Sequence, residues 1–144
     1  YDVEIRQQFP TLSVDRALYN CFHLPRNFDC IYVDYDDTII IKGKVNVVLM
    51  AFLYQMINKG LPIILVTKHQ GDIYRSLTDY RIADNIFEKI ILVPPEKEKT
   101  DFFVPSSESL YIDDSFSERK KVEERYNITA LGSDAVEAII DWRQ

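Results

Sequence analysis

Short apolar segments alternate with helical patterns along this chain, and that alternation restricts the fold more than any other feature. Five apolar segments predict strands, at residues 30–35, 61–67, 90–93, 109–113 and 128–131. The second is apolar throughout, as expected of a strand covered on both faces. Strands that alternate with helices form a parallel sheet with helices on both sides. We therefore predict a Rossmann-like, three-layer α/β/α fold around a five-stranded parallel sheet.

Helical periodicity predicts helices at residues 45–58, 71–80 and 116–126, with a short helical piece around 83–87. A further helix is expected to start at Ser133-Asp134, where Glu137 would complete a capping box with Asp134. Residues 39–45, IIIKGKV, resemble a short hairpin.

The length of 144 residues predicts one domain. We expect residues 1–29 to be an N-terminal extension or linker with one helix around 13–22, and residues 30–144 to form the functional domain. The chain begins with Tyr1 rather than Met, which is compatible with a trimmed chain or with a piece of a longer polypeptide.

The charge balance argues against two classes of partner. The chain has 23 acidic and 17 basic residues and a net charge of -6, so nucleic acid and anionic lipid are not expected to bind. No apolar run approaches the ~18 residues that a membrane span requires. Cys21 and Cys30 are expected to be small buried side chains in a reducing cytoplasm.

Polar residues follow the predicted strands at the edge where an open parallel sheet binds its ligands. They are Asp34, Asp36 and Thr38 after the first strand, Thr67, Lys68 and His69 after the second, Lys97 and Lys99 after the third, and Asp113 and Asp114 after the fourth. A single Asp in such a place is often a turn former, but two acidic clusters with Thr and Lys between them are hard to explain as turns. Carboxylates that crowd together repel one another unless a cation joins them. Ligand sets made of oxygen alone favour Mg²⁺.

Several of these segments resemble signatures of the haloacid dehalogenase superfamily of phosphohydrolases. IYVDYDDT at 31–38 is similar to the first signature, a strand followed by Asp-x-Asp-x-Thr. ILVT at 64–67 and YIDDS at 111–115 are similar to the second and fourth. The third is a lysine, for which Lys97 and Lys99 compete; Lys99 is preferred because residues 100–102 look like a helix start that would hold it. The resemblance extends over residues 30–142.

The resemblance implies an Mg²⁺-dependent phosphomonoester hydrolase with an aspartyl-phosphate intermediate on Asp34. Asp36 would be the general acid and base, Thr67 would bind a phosphoryl oxygen and Lys99 would neutralise charge. The predicted metal ligands are Asp34, Asp36 through its backbone carbonyl, Asp113 and Asp114. The predicted substrate contacts are Thr38, Lys68 and His69, with His69 alternatively an ordinary loop residue. Tyr35 would narrow the pocket.

Neither gap between the signatures is long enough for an inserted cap domain, so the resemblance implies a capless enzyme. An open site would suit a bulky phosphorylated substrate, or be closed by a second subunit or a neighbouring domain. The segments at 112–122, 128–131 and 133–143 also resemble small domains of this superfamily found with ATP-grasp enzymes similar to carbamoyl-phosphate synthase.

Three alternatives remain at this point. One is a non-catalytic or regulatory domain of a larger ATP-grasp protein, which the retained Asp36 argues against. Another is a phosphotransferase or mutase of the same superfamily. The last is a bacterial receiver domain, in which acids, Thr and Lys also surround Mg²⁺, but the second acid pair here follows the lysine, which is the wrong order.

Overall fold

The computed structural model describes residues 28–143 of the chain. The helix expected around residues 13–22 lies outside this range. Within it the strands are β1 (Cys30–Val33), β2 (Ile40–Ile41), β3 (Lys44–Val45), β4 (Ile63–Thr67), β5 (Lys89–Leu92), β6 (Ser109–Ile112) and β7 (Thr129–Leu131). The α-helices are α1 (Val47–Asn58), α2 (Ile73–Asp79) and α3 (Phe116–Tyr126). Short 3-10 helices cover Asp84–Ile86, Lys99–Phe102 and Ser133–Ala138.

Five of the strands form one parallel sheet in the order β5-β4-β1-β6-β7. The predicted α/β fold with a five-stranded parallel sheet is therefore confirmed. β2 and β3 pair antiparallel as the hairpin that IIIKGKV predicted. The order places β1 in the centre, between β4 and β6. The strands that end at or just before Asp34, Thr67 and Asp113 are thus consecutive in the sheet.

Alternate side chains of each strand enter two separate hydrophobic layers, one on each face of the sheet. On β1, Ile31 and Val33 join the larger layer and Tyr32 joins the smaller one. α1, α2 and the 3-10 helix at 133–138 cover the larger layer, whereas α3 covers the smaller one. Each aliphatic side chain that is fully buried in this way stabilises the fold by about 1.5–3 kcal/mol. Both faces of the sheet are covered, which explains why its strands read as continuous apolar runs.

Side chains fix where the helices start. Asn46 accepts a hydrogen bond from the backbone N–H of Leu49 at the start of α1, and Ser115 caps α3 in the same manner. α3 is terminated by its C-cap residue Asn127, whose φ of 54° lies in the left-handed region, where Asn is among the better tolerated residues. The predicted and observed bounds of α3 are the same. α1 begins two residues later than predicted because Val45 belongs to the hairpin and Asn46 is the cap.

The helix predicted from Ser133-Asp134 differs from the observed one. Residues 133–138 form a 3-10 helix with Gly132 at its N-cap, and no side chain caps it, so the capping box of Asp134 and Glu137 was wrong. The Asp134 carboxylate lies against Gly132, with Oδ1 2.7 Å from the position that a Cβ atom would take, and the guanidinium of Arg119 lies 3.2 Å from the same point.

The segments in which a cap domain could be inserted hold only small elements. Residues 38–61 contain the β2–β3 hairpin and α1, and residues 67–99 contain α2, one 3-10 turn and β5. Among residues 28–143, no helix has the length and apolar character needed to cross a membrane.

Candidate active site

Polar side chains collect where β1, β4 and β6 end at the same edge of the sheet. Asp34 directly follows β1, Thr67 is the last residue of β4, and Asp113 directly follows β6. Because these strands are adjacent and parallel, their carboxyl ends bring the three side chains to one place. Residues far apart in the sequence, such as Asp34 and Asp113, therefore share a site.

Lys99 joins the two carboxylates directly. Its Nζ donates hydrogen bonds of 2.9 Å to Oδ1 of Asp34 and 2.9 Å to Oδ2 of Asp113. All three side chains are buried, with 6%, 7% and 1% of Lys99, Asp34 and Asp113 exposed. Lys99 begins the 3-10 helix that the sequence suggested as its support, whereas Lys97 is exposed. The contact with both acids is thus made by Lys99.

Burial and charge alter the protonation of this cluster. Burial, with repulsion from Asp113, raises the pKa of Asp34 to about 6, although Lys99 opposes the rise. Burial disfavours the charge of Lys99, but the two carboxylates outweigh this and raise its pKa. With both acids ionised, two negative charges face one ammonium group in a poorly hydrated site, so the cluster favours an additional cation.

Tyr111 holds Asp113 and was not predicted from the sequence. Its hydroxyl donates a hydrogen bond to Asp113 Oδ2, and the backbone N–H of Ser115 donates to Oδ1 at 2.9 Å. Burial and the nearby Asp113 raise the pKa of the phenol, so it keeps its proton and donates. The sequence did contain a sign of this contact: Tyr111 and Asp113 are two positions apart, and side chains at that spacing on a strand point to the same face.

Thr38 connects the loops that follow β1 and β6. Its hydroxyl donates to Asp34 Oδ2 at 3.4 Å and accepts from the backbone N–H of Asp114 at 3.0 Å. Thr38 was predicted to bind substrate. In the structure the residue is fully buried and its hydroxyl bonds to both acidic loops, so Thr38 links the loops that carry Asp34 and Asp114.

Asp36 lies apart from the buried acids, at the solvent-facing edge of the site. Its side chain is 53% exposed, and its Oδ2 is 2.8 Å from Nδ1 of His69. The backbone N–H of His69 donates to the hydroxyl oxygen of Thr67 at 3.1 Å. The predicted acid and base is therefore partnered by a residue that had been assigned to the substrate.

Three further charged residues follow the strands that end at this edge of the sheet: Asp37 follows β1, Lys68 follows β4 and Asp114 follows β6. Asp37 has a φ of 61°, in the left-handed region where Asp is better tolerated than most residues. Burial, followed by repulsion from Asp37, raises the pKa of Asp114. The ammonium group of Lys68 has no ion pair within residues 28–143, so it is available for an anion.

Tyr35 does not narrow the pocket. The residue is 1% exposed and belongs to the larger hydrophobic layer. Its hydroxyl pairs with the hydroxyl of Ser76 at 2.7 Å. Its ring packs in the same layer as Ile31 and Val33 and meets the ring of His69 edge-on.

The donor atoms fit Mg²⁺, although with fewer carboxylates than predicted. No three His, Cys, Asp or Glu side chains within the described range are grouped closely enough to hold a metal ion. The structure brings together the carboxylates of Asp34 and Asp113, and not those of Asp36 and Asp114. Mg²⁺ is usually bound by one or two carboxylates, with water and substrate phosphate as the other ligands. The two carboxylates of Asp34 and Asp113 are within that number.

The fold has a counterpart among solved structures. A crystal structure of an uncharacterized protein from Corynebacterium glutamicum superposes with a TM-score of 0.53 and 15% sequence identity, over 74% of this chain and 85% of that chain. No protein-family model matches the sequence, and no curated protein matches it either. At this identity the likeness concerns the fold alone, which is α/β with a Rossmann-like parallel sheet.

Proposed function

We propose that this chain is a capless, haloacid dehalogenase-like phosphomonoester hydrolase that forms an aspartyl-phosphate on Asp34. The observation that carries the proposal is the buried Asp34–Lys99–Asp113 cluster at the carboxyl ends of adjacent strands. A structural role alone does not explain it, because burying two carboxylates around one ammonium group costs more than an apolar replacement. A site that binds phosphate and a cation does explain it.

In the first step, a carboxylate oxygen of Asp34 attacks the phosphorus atom and the bond from phosphorus to the leaving oxygen breaks. A proton from Asp36 passes to that oxygen, and the alcohol departs. In the second step, water attacks the phosphorus of the acyl phosphate while Asp36 accepts its proton. The bond from phosphorus to Asp34 breaks, which releases inorganic phosphate and restores both residues.

Asp34 is suited to the nucleophilic role by the different surroundings of its two oxygens. Oδ1 accepts the hydrogen bond of 2.9 Å from Lys99, whereas the hydroxyl of Thr38 donates to Oδ2 over a longer distance of 3.4 Å. Oδ2 is therefore the oxygen that Lys99 does not engage, and we assign the attack to it. Its pKa of about 6 keeps the group ionised at neutral pH. Lys99 neutralises part of the charge that the phosphoryl group brings.

Asp34, Asp113 and the backbone carbonyl of Asp36 would hold Mg²⁺. When bound, the ion neutralises phosphoryl charge and orients the phosphate toward the nucleophile. Thr67 contributes its hydroxyl proton to a phosphoryl oxygen, because its oxygen already accepts the N–H of His69. Lys68 adds a positive charge at the same edge.

The direct test is phosphate release from an aryl phosphate by the purified protein. We expect turnover with Mg²⁺, loss of turnover in EDTA, and recovery when Mg²⁺ is restored. Removal of the ion takes away charge neutralisation on which phosphoryl transfer depends. Activity that persists unchanged in EDTA would contradict the metal requirement, and no hydrolysis of any phosphomonoester would contradict the proposed function.

Replacing Tyr111 with phenylalanine is expected to raise the Mg²⁺ concentration for half-maximal activity by about 10-fold, as the loss of other groups that orient metal ligands does. The substitution removes the hydroxyl that fixes Asp113 Oδ2 but keeps the ring in the core. Mg²⁺ titration of initial rates measures the change. Tyr126→Phe serves as the matched control, because Tyr126 packs in the same layer and its hydroxyl bonds backbone carbonyls at Thr100 and Phe103. Equal shifts in both variants would contradict a specific role for Tyr111.

A further inference from the structure

We propose that His69 is a positioning residue that holds Asp36 in the orientation needed for proton transfer to the leaving group. This inference rests on the proposed phosphohydrolase function and extends it to a residue that sequence reasoning had assigned to the substrate. It predicts that removing the His69 side chain lowers kcat/KM most for substrates whose leaving groups must be protonated.

The contact between the two side chains is specific at the level of atoms. His69 Nδ1 lies 2.8 Å from Asp36 Oδ2. Oδ1 of Asp36 has no hydrogen-bond partner within the described residues and belongs to a side chain that is 53% exposed. His69 therefore occupies one carboxyl oxygen and leaves the other to exchange a proton with the leaving group or with water.

His69 is itself held in place from two directions. Its backbone N–H donates to Thr67 Oγ1 at 3.1 Å, which ties it to the end of β4. Its ring meets the ring of Tyr35 edge-on, with centroids 5.2 Å apart. Tyr35 is buried and bonded to Ser76 on α2. A fixed imidazole can thus restrict a carboxylate that would otherwise rotate freely at the surface.

The proposed mechanism requires Asp36 to be held in a defined orientation. Asp36 acts in both steps and must reach the leaving oxygen and then the attacking water, yet it lies outside the buried Asp34–Lys99–Asp113 cluster. A general acid contributes about 10²–10⁴-fold only when it is within hydrogen-bond reach of the atom that it protonates. No other side chain among residues 28–143 bonds to the Asp36 carboxylate, so His69 supplies the orientation.

The experiment compares kcat/KM for phosphate esters whose leaving groups differ in basicity. Phenyl phosphate and an alkyl phosphate need a proton on the departing oxygen, whereas 4-nitrophenyl phosphate needs it much less. For His69→Ala we expect kcat/KM to fall about 10-fold or more with the first two, and less than about threefold with 4-nitrophenyl phosphate. Asp36→Asn should show the same dependence on the leaving group with larger losses. A structural defect would lower all three values equally.

Conservative variants separate positioning from simple loss of a side chain. Asparagine places its amide near the position of Nδ1, whereas glutamine places it near Nε2. His69→Asn should therefore restore much of the activity toward alkyl and phenyl phosphates, and His69→Gln should not. Gln70→Ala, in which the adjacent exposed residue is changed, should match the wild type. Thermal unfolding of each variant establishes that it is folded.

Two results would overturn the inference while leaving the proposed function intact. One is an equal loss of kcat/KM with all leaving groups in folded His69→Ala. The other is wild-type activity of that variant with the alkyl phosphate. An inactive wild type would instead overturn the proposed function, and this inference with it.

Discussion

Asp34→Asn is expected to abolish phosphate release and, at the same time, to raise the melting temperature of the metal-free protein. The carboxylate is the proposed nucleophile, and an amide cannot form the acyl phosphate, so kcat should fall by at least about 10³-fold. Stability should increase because Asp34 is buried and its ionised form is disfavoured, mainly by burial and then by Asp113. The variant leaves Lys99 paired with Asp113, one positive and one negative charge.

The ionisation of Asp34 should make the free energy of unfolding depend on pH. The pKa of Asp34 is raised from 3.8 to about 6 in the folded state, so the folded protein binds this proton more tightly than the unfolded chain. Protonated Asp34 therefore adds to the free energy of unfolding. This contribution is fully present below pH 3.8 and is lost as the pH rises through about 6. Urea unfolding of the wild type in EDTA should show this loss, and Asp34→Asn should lack the part due to this residue.

Asp36→Asn is the matched control for Asp34→Asn. This substitution also removes one negative charge, but from a side chain that is 53% exposed. It should therefore lower activity without raising the melting temperature. If Asp34→Asn retained turnover, the assignment of the nucleophile would be wrong. If it were inactive but strongly destabilised, the buried cluster would be structural rather than functional.

Lys99→Met is expected to reduce both activity and stability. Methionine keeps most of the length and apolar volume of the side chain but leaves Asp34 and Asp113 facing each other without a cation. Removing one partner from a buried ionic group typically costs about 3–5 kcal/mol. Removing one donor that stabilises charge developing in the transition state typically costs about 10²–10³-fold in kcat, and we expect a loss of that order here. Chemical denaturation at pH 7 measures the first effect, and steady-state kinetics measures the second.

Two conditions should partly restore the stability of Lys99→Met. Lower pH should help because protonation removes the repulsion between the carboxylates, and Mg²⁺ should help because it replaces the missing positive charge. Lys97→Met tests the competing assignment of the third signature. Because Lys97 is exposed, this variant should change stability by no more than about 0.5 kcal/mol. Similar behaviour of the two variants would contradict the role given to Lys99.

Local sequence patterns predicted the repeating elements well. Unbroken apolar runs identified the strands, and the pattern that starts after Ser115 gave α3 with its observed bounds. The hairpin in residues 39–45 was also predictable, because Gly43 is suited to the positive φ of 73° that its turn requires. These features are local, since apolar periodicity and turn chemistry depend on neighbouring residues.

The sequence also placed the acids, Thr67 and the lysines at one edge of the sheet, but it could not give the contacts between them. It preferred Lys99 without excluding Lys97, assigned Thr38 and His69 to the substrate, and passed over Tyr111. The sequence also did not predict that the final helix would be a 3-10 helix with Gly132 at its N-cap.

The sequence by itself thus determined the order of strands and helices and the edge at which charged residues collect. Only the tertiary structure decided that Lys99 bridges Asp34 and Asp113, that Tyr111 holds Asp113, and that His69 holds Asp36. The physical reason is the different sequence separation over which the two kinds of interaction act. Apolar periodicity acts within a few residues, whereas a buried hydrogen bond between distant residues depends on how neighbouring strands align.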